Sequence, residues 1–112
     1  MPRNMSFSLT TDQIRNRTKT VTRRNGWWFL KQGDIVNAVE KAMGLKKGEK
    51  IKCICQIRII STCAEPLNVI TGDDVEKEGF PEWTPQDFIE MYSNHNRCLD
   101  IDPVNRIEFE YV

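Results

Sequence analysis

Three threonine hydroxyls and a lysine amine stand among arginines in Arg17-Thr18-Lys19-Thr20-Val21-Thr22-Arg23-Arg24. A hydroxyl donates, accepts, or attacks once a neighbouring base takes its proton. A lysine amine can be that base when desolvation or nearby cations lower its pKa. Between Gln13 and Lys31 there are six basic residues and no acid, whereas a surface serving solubility alone mixes its signs. The aromatic run Trp27-Trp28-Phe29 follows and can wall a pocket or stack on a base. Cations beside aromatics fit a ligand bearing a phosphate or a nucleobase. A solvated basic strand next to core aromatics accounts for the same residues equally well.

The elements that must position this segment belong to one domain, 1–112, long enough to bury about two-thirds of its unfolded surface. A composition of 39% hydrophobic and 29% charged residues is that of a globule, and no apolar run approaches the ~20 residues of a membrane span. Met1-Pro2-Arg3-Asn4 leads into no signal-like segment, so the expected location is cytoplasmic. The net charge is zero, but residues 71–90 hold seven acids and one base. A basic groove facing an acidic lip suits a small, selected ligand better than a long polyanion.

Cys53, Cys55, Cys63 and Cys98 are expected to be free thiols in a reducing compartment. A zinc set drawn from them with His95 is disfavoured by the Cys-x-Cys spacing. The alternation of Ile51, Cys53, Cys55, Ile57 and Ile59 reads instead as the core face of a strand. No metal or cofactor is expected. His95 lies in the polar stretch 93–97, read as a surface loop.

In chain order, residues 7–9 read as an opening strand, and Thr10 or Thr11 as the cap of a short helix through about Asn16. Residues 21–24 read as a strand ending at the Asn25-Gly26 turn. A turn at 32–34 leads a strand over 35–40; 41–50 is a lysine-rich loop; 51–61 is the longest strand, with Pro66 ending it. Thr71 caps a short acidic helix finishing near Gly79, and Thr84-Pro85-Gln86-Asp87 starts a second. A strand over 103–112 turns Asn105, Ile107, Phe109 and Tyr111 one way. Five to six strands and about three short helices without a strand-helix-strand rhythm give an α+β fold, a small mixed β-barrel with flanking helices.

The Lys-Thr-x-Thr-x-Arg segment, Lys19-Thr20-Val21-Thr22-Arg23-Arg24, followed by Gly33-Asp34 leading a strand, an acidic helix and a final aromatic-rich strand, resembles the ASCH domain of the PUA-like superfamily. The likeness extends over nearly the whole chain and is nearest to the small stand-alone ASCH proteins of bacteria and their phages. Some of these are N(4)-acetylcytidine amidohydrolases. The resemblance implies catalytic roles for Lys19, Thr22 and Glu78, with Glu76 and Glu82 close by in sequence, and a role for Arg24. Thr20, Arg23, Trp27 and Trp28 are the other candidate substrate-binding residues. Lysine and threonine three apart point to opposite faces of a regular strand, so this chemistry needs Lys19 in an irregular turn.

The expected partner is therefore a modified nucleoside or RNA. Two other readings stand beside it: a noncatalytic RNA- or nucleotide-binding module using the same basic groove, or a phage-encoded or host accessory protein that binds another protein through its acidic face. A ribonuclease is also compatible with the resemblance, although a lone histidine offers no histidine pair.

Overall fold

The computed structural model describes residues 2–41 and 45–112. Five strands, β1 (Arg3–Ser6), β2 (Val21–Arg24), β3 (Ile35–Val39), β4 (Cys53–Pro66) and β5 (Pro103–Tyr111), form one sheet in the order β1-β3-β4-β5-β2. β1 runs parallel to β3, and the other neighbours are antiparallel. The sheet curls into a half-barrel flanked by α1 (Thr11–Arg15), α2 (Gly72–Lys77) and α3 (Pro85–Asn96), with a short 3-10 turn at Leu67–Val69. The expected α+β class and small mixed barrel are present with five strands.

β4 joins the two parts of the sheet. Its first half pairs with β3 and its second half with β5, and a register shift between Ile59 and Ser61 bends it between the two. Two apolar clusters result. One gathers Met5, Phe7, Ile14, Val36, Ile57, Ile59, Ile107 and Phe109. The other packs Leu67, Ile70, Val75, Phe88, Tyr92 and Val104 beneath α2 and α3.

Local signals explain the helices. Thr71 Oγ1 accepts from the Asp74 N–H at the start of α2, while Thr84 and Asp87 complete a reciprocal capping box on α3 with Pro85 in its first turn. Asn105, Ile107 and Phe109 on β5 are buried, as alternation requires.

Four expectations need correction. The opening strand is Arg3–Ser6, and Phe7 begins a turn in which its carbonyl accepts from the Thr10 N–H and the Thr11 hydroxyl. Thr10 makes no capping bond. β4 starts two residues later than expected and continues to Pro66, because 61–66 find partners on β5; Ile51 and Cys53 are exposed, beyond the reach of the core. The stretch holding His95 is the last turn of α3, which runs to Asn96. The loop expected over 41–50 includes 42–44, which lie outside the described residues.

Candidate active site

Two helix ends of the same kind bring the site together. α1 stops with Arg17 at φ 60; the Thr18 N–H bonds the Gln13 carbonyl and the Arg17 N–H bonds that of Ile14. α2 stops with Gly79 at φ 103; the Phe80 N–H bonds the Val75 carbonyl and the Gly79 N–H that of Glu76. Both are Schellman turns, in which one left-handed residue satisfies the last carbonyls of a helix. The first delivers Lys19 ahead of β2, outside the regular strand. The second leaves Glu78 as the capping residue of α2 and turns Phe80 towards Phe88.

The turns are joined through three consecutive carbonyls. That of Lys77 accepts from the Thr20 N–H at 2.8 Å, that of Glu78 from Lys19 Nζ at 2.8 Å, and that of Gly79 from Gln13 Nε2 at 3.2 Å. Gly79 is required twice over. Its φ lies in the left-handed region, and a Cβ there would stand 2.7 Å from Gln13 Cγ.

Lys19 and Glu78 are 3% and 2% exposed, and Lys19 Nζ lies 2.6 Å from Glu78 Oε1. Burial lowers the Lys19 pKa, Glu78 opposes that by charge and hydrogen bonding, and the charges of Arg24 and Arg23 add to the lowering. Glu78 Oε2 accepts from Arg23 at 3.2 Å. The buried Arg23 guanidinium also reaches Glu65 at 2.8 Å and Asp74 at 2.5 Å. Arg106, opposite Arg23 in the β2–β5 register, grips Asp74 with two hydrogen bonds at 2.9 and 3.0 Å. Two like charges facing across a sheet repel, and Asp74 bridges them. Its hydrogen bonds to Arg106 and Arg23 outweigh partial burial and hold its carboxyl well below the usual range. Burial disfavours the Arg23 cation, yet the hydrogen bond it donates to Asp74 and the charges of Glu78 and Asp74 raise its pKa.

Arg24 takes the same face of β2 as Thr22. Its Nε donates to Thr22 Oγ1 at 3.2 Å, its NH2 donates to the Ser6 carbonyl at 2.6 Å, and the guanidinium lies 4.7 Å from the Phe7 ring centre. Burial brings its pKa down to about 10. Donation from Arg24 leaves the proton of Thr22 free for a base and steadies negative charge on its oxygen.

These groups line a cavity of about 350 Å³ where the two apolar clusters meet, within the usual size for a small-molecule site. Phe7, Trp27, Phe80, Phe88 and Tyr92 are its aromatic lining, and Lys19, Thr22, Arg24 and Glu78 are among its polar residues. Burial pushes the Tyr92 phenol up, keeping it a neutral donor, and it bonds Asn25 Oδ1 at 2.9 Å.

Of the residues singled out in the sequence, Lys19, Thr22, Glu78, Arg23, Arg24 and Trp27 line this cavity. Thr20 and Trp28 do not. Thr20 spends its backbone on Lys77 and Phe109, and Trp28 is 55% exposed. Glu76 and Glu82 are exposed, so Glu78 is the carboxylate of the site. Arg23 is committed to carboxylates and orients Glu78. Sequence reading did not single out Phe7, Asn105 or Tyr92 for the site. It placed His95 in a loop, although from the end of α3 it lines the cavity; a 3.6-residue repeat linking Phe88, Met91, Tyr92 and His95 was the available signal.

The buried Asn105 clamps the turn after β2. Its Nδ2 donates to the carbonyls of Gly26 at 3.2 Å and Trp27 at 3.0 Å, holding Trp27 at φ 59, a conformation that costs an L-residue ~1–2 kcal/mol.

No family model and no curated protein sequence matches the chain. Among solved structures, the chain is similar to the crystal structure of hypothetical protein PH0355, with a TM-score of 0.68 and 15% sequence identity over 100% of both chains. At that identity the two proteins share a fold.

Proposed function

We propose that the protein is an amidohydrolase of the ASCH type, acting on an acylated nucleoside such as N(4)-acetylcytidine. One observation carries this reading: a desolvated lysine paired with a carboxylate and a threonine hydroxyl held by an arginine line one aromatic-walled cavity. Thr22 Oγ1 attacks the acetyl carbonyl carbon while Lys19, in its neutral form, takes the hydroxyl proton. The carbon–nitrogen bond breaks, the cytosine amine leaves with a proton, and water then cleaves the threonine ester to release acetate. Arg24 lies on the Thr22 oxygen, where it offsets charge developing at the reacting centre. Glu78 holds Lys19 in place and moves its proton. The aromatic walls suit a pyrimidine ring.

The same geometry weakens the reading as a groove for long polyanions. Arg15 is paired with Glu40, Lys19 with Glu78, and Arg23 with three carboxylates, so much of the basic stretch is neutralised within the protein. The test is to incubate pure protein with N(4)-acetylcytidine and separate the products by reverse-phase chromatography. Cytidine and acetate are expected from the wild type and neither from Lys19→Ala or Thr22→Ala. A well-folded wild type that leaves the nucleoside intact overturns the assignment.

A further inference from the structure

We infer that a second subsite adjoins the cavity across Trp27 and takes the nucleotide next to the modified cytidine, so that the favoured ligand is an oligonucleotide end or segment over a free nucleoside. This rests on the nucleoside reading of the main cavity.

Trp27 and Asn25 line that cavity on one side and, on the other, a surface depression of about 570 Å³ edged by Arg3 and Phe29. The two spaces therefore share Trp27 and Asn25 as a common edge. The Trp27 and Phe29 rings lie 5.5 Å apart, and the Arg3 guanidinium stands 4.7 Å from the Phe29 ring centre. Phe29 is 52% exposed, so an aromatic ring and the cation stacked on it are presented to solvent together. Unlike Arg15, Lys19, Arg23 and Arg106, Arg3 makes no ion pair among the described residues. An aromatic surface beside an unneutralised guanidinium matches the two parts of a nucleotide, a base to stack and a phosphate to attract.

The arrangement is also imposed on the chain. Trp27 adopts a backbone conformation that bulky residues avoid, and the buried Asn105 amide holds it there through two carbonyls. That clamp fixes the backbone of Trp27 at the common edge of the two spaces.

The test uses ligands without an acyl group, so that it is independent of turnover. Binding of cytidine and of the dinucleotide cytidylyl-adenosine, in both linkage orders, is measured by calorimetry on wild type, Phe29→Ala, Phe29→Tyr and Arg3→Ala. One dinucleotide is expected to bind the wild type about 10-fold tighter than cytidine, a typical worth for one stacked base. Phe29→Ala should bring that ratio close to one, Phe29→Tyr should keep it, and Arg3→Ala should reduce both the ratio and its salt dependence. Equal binding of cytidine and both dinucleotides, no binding of any of them, or a ratio unchanged in Phe29→Ala overturns the subsite. Failure of the hydrolytic reading alone would appear separately, as intact N(4)-acetylcytidine.

Discussion

Lys19 Nζ bonds both the carboxylate and the backbone carbonyl of Glu78, at 2.6 and 2.8 Å, so one side chain fixes the end of α2 to the segment entering β2. Lys19 is therefore a helix cap as well as the candidate base, and the two roles make separate demands. Capping needs only a donor at that place. Acting as a base needs an amine that can lose its proton.

Removing the amine should cost stability. Lys19→Ala leaves the buried Glu78 with Arg23 as its remaining charged partner, and breaking such a pair costs about 3–5 kcal/mol. Lys19→Met combined with Glu78→Gln should recover much of that loss in urea denaturation without recovering turnover. Additive losses in the double variant would mean that the two side chains are not coupled in solution.

The pH–rate profile follows from the Lys19 environment. Its pKa lies below the 10.5 of a free lysine because burial disfavours the cation. The neutral amine is the active base, so kcat/KM should rise with pH through an apparent pKa below 10.5. Stability should rise across the same window, since there the unfolded chain binds the proton that the folded lysine has released. An ascending limb centred at the free-lysine value would exclude Lys19 as the base.

The Thr22 hydroxyl should be indispensable to turnover. Thr22→Ala is expected to lower kcat by at least about 10³-fold, as loss of a nucleophile does, while Thr22→Ser keeps measurable activity. Mass spectrometry of quenched wild-type reactions should find an acetyl group on the peptide containing Thr22. Full activity in Thr22→Ala would remove the covalent step.

Acid should loosen the fold through Asp74. Its carboxyl is held below its unfolded value by Arg106 and Arg23. The stability it contributes is therefore complete above the unfolded pKa of about 3.9 and is lost as pH falls below that towards the folded value. Asp74→Asn should be less stable than wild type at pH 7 and show a flatter decline between pH 5 and pH 2 in denaturant titrations. Parallel pH curves for the two proteins would show that Asp74 is not so held.

Gly79 is expected to tolerate no side chain. Gly79→Ala adds a Cβ at φ 103 and 2.7 Å from Gln13 Cγ, a change that should cost at least about 1 kcal/mol and shift Glu78 from Lys19. Both the melting temperature and kcat should fall, and Gln13→Ala in the same chain should relieve part of the loss.

The sequence made the punctuation of the fold legible, because capping is local chemistry. Thr71, the Thr84–Asp87 box and the Asn25-Gly26 turn all lie where residue types alone put them. The strand pattern from Ile57 to Ile59 and over Asn105, Ile107 and Phe109 was legible for the same reason. Pairing partners were not. β4 reaches Pro66 because β5 lies beside it, and no neighbour in sequence announces that. At the site, Lys19 and Thr22 could be read from one segment, but choosing Glu78 over Glu76 and Glu82 needed the Schellman turn that buries one carboxylate of the three. The basic stretch misled in one respect: its cations meet acids from distant parts of the chain, which a local count of charges cannot show.

Because Lys77, Glu78 and Gly79 are each anchored by a donor from residues 13–20, the end of α2 is stapled to the chain entering β2 at three successive links. Elsewhere the lining of the cavity is held by single contacts. There the turn after β1 is tethered by the contact of Arg24 with Ser6, and α3 by that of Tyr92 with Asn25. Each is one hydrogen bond made without the lysine–carboxylate pair, so that part of the wall rests on far fewer links.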